Sequence, residues 1–181
     1  MIPNTKLVDF EAFLARPENQ DRLFELINGE IIEKMPTIWH GIIANLIGTY
    51  LQIYLFTHPI AWVIQEGRYK LPDDPQNDLI PDVSLFLKET AGVTKKGPAP
   101  HLPELVVEIK SPDDKLTKMW EKASYYLAHG TKIVWLVHPE KRLVYVLTPN
   151  KETTLDETEI LDGGDLLPGF QLPVKDIFPQ E

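Results

Sequence analysis

The sequence predicts an α/β (α+β) fold: a mixed β-sheet core flanked by helices, with an N-terminal β-hairpin. Three observations carry the prediction. Apolar runs flank Asn28-Gly29, the strongest short turn signal, within "RLFELINGEIIEKMP" (22–36). Short β-rich runs alternate with longer segments of helical spacing, over about 37–56 and after residue 111. And "LVVEIK" (105–110) reads as a core strand that nonetheless holds Glu108 and Lys110. Strand side chains alternate, so Leu105, Val107 and Ile109 share a packed face while Glu108 and Lys110 share the other.

The remaining elements follow in order. Residues 8–15 suit a short helix with Asp9 as N-cap. In the 37–56 helix, apolar residues at 39, 42, 43, 46, 50 and 53 keep helical spacing, and His40, Asn45, Thr49 and Gln52 make it a buried helix rather than a membrane span. Strands are expected at 61–71 and 79–87, and a loop at 88–102. "SPDD" opens the second helix, with Ser111 or Asp113 as cap, and His129-Gly130 closes it. "KIVWLVHP" and "RLVYVLTP" form a hairpin across Glu140-Lys141. This is a single domain over 1–181, with its core at about 22–148 and an irregular acidic segment at 150–181.

Composition narrows the partners. The net charge of −9 argues against indiscriminate nucleic-acid binding. The charge is uneven, however: residues 151–165 hold six acids and one lysine, and residues 110–132 hold five lysines and three acids. The chain has no cysteine, which excludes disulfides and thiolate metal sites and fits a reducing, cytoplasmic setting. "MIPNTKLVDF" lacks the pattern of a secretory signal.

The chemistry gathers on a few polar side chains. Asp82 starts one strand, just after Pro81, and Glu108 and Lys110 end another. If the strands are neighbours, Asp82 and Glu108 converge, and paired carboxylates suit a hard cation such as Mg²⁺. Such an ion polarises phosphoryl oxygens and acidifies water, and Lys110 could orient that water or stabilise developing charge. The bland alternative is an exposed Glu108–Lys110 ion pair worth under about 1 kcal/mol. Lys115, Lys118 and Lys122 cluster beside the apolar face of Leu116, Met119, Trp120, Ala123 and Leu127, as a groove edge or as a solvated face. Tyr126, Trp120 and Trp135 read as core.

The pattern PD…E-x-K resembles the PD-(D/E)xK nuclease superfamily. More of the chain, about residues 8–148, resembles the Uma2 family of endonuclease-like proteins, formerly a domain of unknown function. "FELINGEIIEKMP" is similar to the family's opening hairpin, "IPDVSLFL" to its PDV strand, and "LVVEIKSP" to its strand ending in Ser-Pro. His40 falls where the family has a histidine starting its long helix. "KASYYLAHGTKIVWLVHPEKRLVYVL" is similar to its K-x-x-x-Y-x-x-x-G helix end and following hairpin.

The resemblance implies a restriction-endonuclease-like fold, Asp82 and Glu108 as ligands of Mg²⁺ or Mn²⁺, and Lys110 as the catalytic lysine. Many members have an apolar residue at that position and a lysine on the next helix, here Lys122. Glu30 matches the family's Gly-Glu step, either completing the acidic site or lying exposed on the hairpin; Glu25 is a weaker candidate. His40 either approaches the reacting groups or caps and packs. The implied activity is endonucleolytic hydrolysis of nucleic acid, DNA foremost, and a homodimer would suit two-strand cleavage. The alternatives are a silent nuclease fold used for binding or assembly, and hydrolysis of RNA or another phosphodiester.

Overall fold

The computed structural model describes residues 9–90 and 94–179. The expectations for residues 1–8, and for 91–93 of the predicted loop, lie outside the described residues. A short helix, α1 (Phe10–Leu14), begins where Asp9 accepts a hydrogen bond from the Ala12 N–H at 3.0 Å. The hairpin follows as β1 (Leu23–Ile27) and β2 (Glu30–Lys34). Its turn needs left-handed backbone at both central positions, Asn28 (φ 52°) and Gly29 (φ 81°). The register sets Glu25 opposite Ile32 and Leu23 opposite Lys34. Period two then splits the hairpin: Phe24, Leu26 and Ile31 pack with Phe10 and Phe13, and Glu25 and Lys34 turn to the other face.

Helix α2 (Ile38–Thr57) is capped by the Thr37 hydroxyl, which accepts from the His40 N–H. It buries Ile43, Ala44, Ile47, Leu51 and Leu55. This differs from the expected face, since Ile42 and Ile53 are exposed. The segment is apolar nearly all round, so spacing alone does not choose a side. Among the described residues no helix is long and apolar enough to cross a membrane.

A six-stranded sheet forms the centre, in the order β3 (Ala61–Gln65), β4 (Val83–Leu87), β5 (Leu105–Ile109), β6 (Ile133–His138), β7 (Leu143–Thr148) and β8 (Lys151–Leu155). Only β5 and β6 pair in parallel, joined by the crossover helix α3 (Leu116–Ala128); the other neighbours are antiparallel. The sheet's central strands β4, β5 and β6 are buried on both faces. Leu105, Val107 and Ile109 pack in the core with α2, and Val106, Val134 and Leu136 pack against α3 residues Met119, Ala123 and Tyr126. Strand β5 therefore has two packed faces rather than one.

Further expectations change. Strand β3 stops at Gln65 and β4 starts only at Val83, short of the expected 61–71 and 79–87. Ser111 and Asp113 do not cap α3. Residues 111–114 form a separate turn, in which the Asp114 carboxylate accepts from the Ser111 N–H at 2.7 Å, and the helix starts at Leu116 after Lys115. The C-terminal segment is not irregular. It supplies β8, then the antiparallel pair β9 (Ile160–Gly163) and β10 (Leu167–Pro173), and Leu161, Phe170, Leu172 and Phe178 enter the core beside α2.

Candidate active site

The C-terminal end of β5 meets the start of β4, the hairpin, the first turn of α2 and the middle of α3. Glu108 is the last α3-facing residue of β5, and Asp82 directly precedes β4. Both are buried. The β4–β5 ladder stops at Val83↔Val107. Beyond it, Asp82 Oδ2 accepts from the Ile109 N–H at 2.7 Å, so the carboxylate is tied to the neighbouring strand. His40 Nε2 lies 3.0 Å from the same oxygen, and Lys34 Nζ lies 2.6 Å from Oδ1. Burial alone would raise the Asp82 carboxyl. Lys34 and His40 outweigh it and hold the group well below the usual carboxylate range.

Glu108 sits in a second knot. Its Oε1 accepts from the Tyr126 hydroxyl at 2.9 Å and meets Lys122 Nζ at 2.8 Å. Lys122 Nζ also lies 2.7 Å from Glu25 Oε1, which accepts in addition from the Ile80 N–H. Burial pushes Glu108 up to about 7; Lys122 opposes this, and the negative charge of Asp82 and Glu25 adds to it. Burial opposes the charge on Lys122, but Glu108 and Glu25 prevail and raise its pKa. His40 is likewise raised, the Asp82 contact overcoming burial.

Asp82, Glu108, Lys122 and His40 thus come together; the sequence reading expected this of Asp82 and Glu108 and left Lys122 and His40 open. Two other candidates do not join them. Glu30 is exposed beside the turn, at the far end of the hairpin face that carries Glu25. The Lys110 amine donates to the Ser111 and Pro112 carbonyls at 3.0 and 3.3 Å and lies 3.8 Å from Glu140, so it does not line the cleft. The alternation argument for Lys110 ends with the strand, at Ile109. Lys115 and Lys118 do line the cleft, Lys118 being exposed and paired with Glu121 at 2.9 Å.

Three participants were missed or underrated. Glu25 is a carboxylate buried in the middle of "LFELI", and an acid between two core residues was a readable signal. Lys34 was readable only through hairpin register, which sets it on the Glu25 face. Tyr126 is the expected core residue, yet its hydroxyl serves Glu108.

The donor set can be weighed against a metal ion. Among the described residues no group of three or more His, Cys, Asp or Glu side chains is arranged to hold one. The ligands on offer are the Asp82–Glu108 carboxylates at a cleft wall. All-oxygen donors, few in number, are of the chemistry that suits Mg²⁺ or Mn²⁺, and here both carboxylates are buried and engaged by Lys34, His40, Tyr126 and Lys122.

A mixed sheet with carboxylates and a lysine gathered at the end of a central strand defines a protein of the nuclease-fold class. The chain belongs to the Uma2 family, whose sequence model, described as "Putative restriction endonuclease", matches residues 10–175. The crystal structure of a putative nuclease belonging to DUF820 from Anabaena variabilis ATCC 29413 is 26% identical, with a TM-score of 0.80 over 94% of this chain and 97% of that one. A cryo-EM structure of a DrdV–DNA complex aligns at a TM-score of 0.36 and 14% identity, over 64% of this chain and 12% of that one, a likeness too slight to carry an argument. None of the curated proteins matches.

Proposed function

We propose that the protein is a Mg²⁺- or Mn²⁺-dependent endonuclease that hydrolyses phosphodiester bonds of nucleic acid, DNA foremost. The observation that carries this reading is the convergence of Asp82, Glu108 and Lys122 at one cleft, in a chain of this family. An ion held by Asp82 and Glu108 would supply phosphoryl polarisation and a more acidic water.

The chain's own residues do the rest. The Ile109 N–H and His40 fix the orientation of Asp82. Tyr126 and Lys122 fix Glu108, and Glu25 holds Lys122 in place. We assign the charge-stabilising role expected of Lys110 to Lys122, whose ammonium lies in the carboxylate cluster. Lys115 and Lys118 at the rim would contact backbone phosphates, supplying locally the positive charge that the acidic whole lacks. The compartment that fits such a substrate is the cytoplasm, and the assembly that suits two-strand cleavage is a homodimer.

Plasmid nicking tests the reading. Wild type should nick supercoiled DNA with Mg²⁺ or Mn²⁺ and not with EDTA. Asp82→Asn, Glu108→Gln and Lys122→Met should each lower the rate by about a hundredfold or more, and Lys110→Met should leave it nearly intact. Cleavage that survives in both carboxylate variants would sink the assignment, and a parallel assay on RNA decides between the two polymers. A second reading, a binding or assembly module without turnover, draws support from the lysines that already neutralise the acids. It prevails if no divalent ion binds at millimolar concentration.

A further inference from the structure

Lys34 has no place in the assignments above, yet it makes one of the closest contacts in the cleft. Its ammonium lies 2.6 Å from Asp82 Oδ1 and 2.6 Å from the Ile80 carbonyl, and the side chain is 13% exposed. The other oxygen of Asp82 is already engaged by the Ile109 N–H at 2.7 Å and by His40 at 3.0 Å. Oδ1 is therefore the oxygen through which Asp82 would meet a divalent ion. That oxygen keeps a second lone pair, but an ion placed on it would stand against the Lys34 ammonium. Like charges a few ångströms apart in a buried setting repel strongly.

We propose that Lys34 is an internal cation that occupies the ion's place on Asp82, so that metal loading requires its ammonium to withdraw and Lys34 sets the affinity for the ion. The inference rests on the metal-dependent reading given above.

The surroundings allow such a withdrawal. Lys34 is the last residue of β2, and Met35, Pro36 and Thr37 after it are exposed. Its flexible four-carbon stem stands in the wall of the same cleft that Lys118 and Met35 line, so the ammonium can move toward solvent without rearrangement of the hairpin. Lys122 is held differently. It lines the same cleft but bridges Glu25 and Glu108 at 2.7 and 2.8 Å, so its withdrawal would strand two buried carboxylates at once, where that of Lys34 frees one that the incoming ion itself would pair. Of the two buried ammoniums, Lys34 is the displaceable one. In the absence of the ion it also keeps Asp82 ionised and fixed, so the ligand is preorganised at some cost in affinity.

Mn²⁺ binding to the full chain, read by electron paramagnetic resonance without any turnover, tests this directly. Lys34→Met removes the competing charge and should tighten Mn²⁺ binding by about tenfold or more. Lys34→Arg keeps a cation that can grip the carboxylate with two N–H groups, and should bind Mn²⁺ no more tightly than wild type. Lys118→Met removes a rim charge with no contact to Asp82 and should stay within about twofold of wild type. Circular dichroism confirms that each variant is folded; if Lys34→Met is not, Lys34→Arg against wild type still decides, since an Arg that tightens binding overturns the proposal. The proposal is also overturned if Lys34→Met binds Mn²⁺ no better than wild type, or if Lys118→Met gains as much. If neither wild type nor any variant binds Mn²⁺ at millimolar concentration, the metal-dependent reading itself falls, a result distinct from wild type and Lys34→Met binding equally.

Discussion

Glu108 shows how one buried carboxylate ties function to pH. Burial, opposed by Lys122 and reinforced by Asp82 and Glu25, pushes it up to about 7. The folded chain then keeps this proton at a pH where the unfolded chain has lost it. The group's contribution to stability falls as pH rises from the usual carboxylate range to about 7. Asp82 runs the other way. Lys34 and His40 overcome burial to depress it, so its contribution is present above the usual range and is lost as pH falls below it. A ligand carboxylate must be ionised, so divalent affinity should climb about tenfold per pH unit below about 7 and level off above. Calorimetric titration across that range checks this; a flat profile would remove Glu108 from the ligand set. Asp82 and Glu108 were legible in the sequence because each sits in a short pattern with a stated chemistry. Lys110 was misplaced because alternation holds only inside a strand, and β5 ends one residue earlier. Lys34 was readable only through the register with its partner strand, not through its neighbours in sequence.

At the scale of elements, α3 carries the central ion of the site. Lys122 bridges Glu25 and Glu108, and all three side chains are buried. Lys122→Met leaves two carboxylates without their counter-charge, which should cost about 3–5 kcal/mol. Urea unfolding measures it. A loss under about 1 kcal/mol would mean that the carboxylates find other compensation. The elements themselves were largely legible: the Asn-Gly hairpin, the long helix, the PDV and E-x-K strands, and the helix ending at Gly130, whose φ of 107° fits its terminal role. What escaped has physical causes. Strand β8, "KETTL", is polar and largely exposed, so it lacks the alternation that marks a half-buried strand. Strands β9 and β10 carry glycines and prolines that read as loop, and only their contact with α2 makes them core.

At the scale of the molecule, β3 leaves one edge of the sheet without a partner strand among the described residues. Near it lie exposed apolar side chains: Trp62 on the strand, Ile60 just before it, and Ile53 and Phe56 on α2. An open edge strand with adjoining apolar surface is an association surface. The homodimer proposed above would use it, since an antiparallel β3–β3 pairing is self-complementary about a two-fold axis. Sedimentation should then give two chains per particle for wild type and one for a Trp62→Glu, Phe56→Glu variant. A monomer at every concentration would remove this assembly.

The knot of Glu25, Lys122 and Glu108 joins distant parts of the chain: Glu25 and Lys122 meet across 97 residues, and Lys34 and Asp82 across 48. Strand β5, moreover, becomes a central strand only when β6 pairs beside it. A ribosome releases the N-terminal half first, at about 5–20 residues per second. During that interval the hairpin and the long helix exist without the lysine and the strand that complete the cleft. The cleft is therefore complete only once α3 and β6 have been made, and its acids and their lysine meet late in folding.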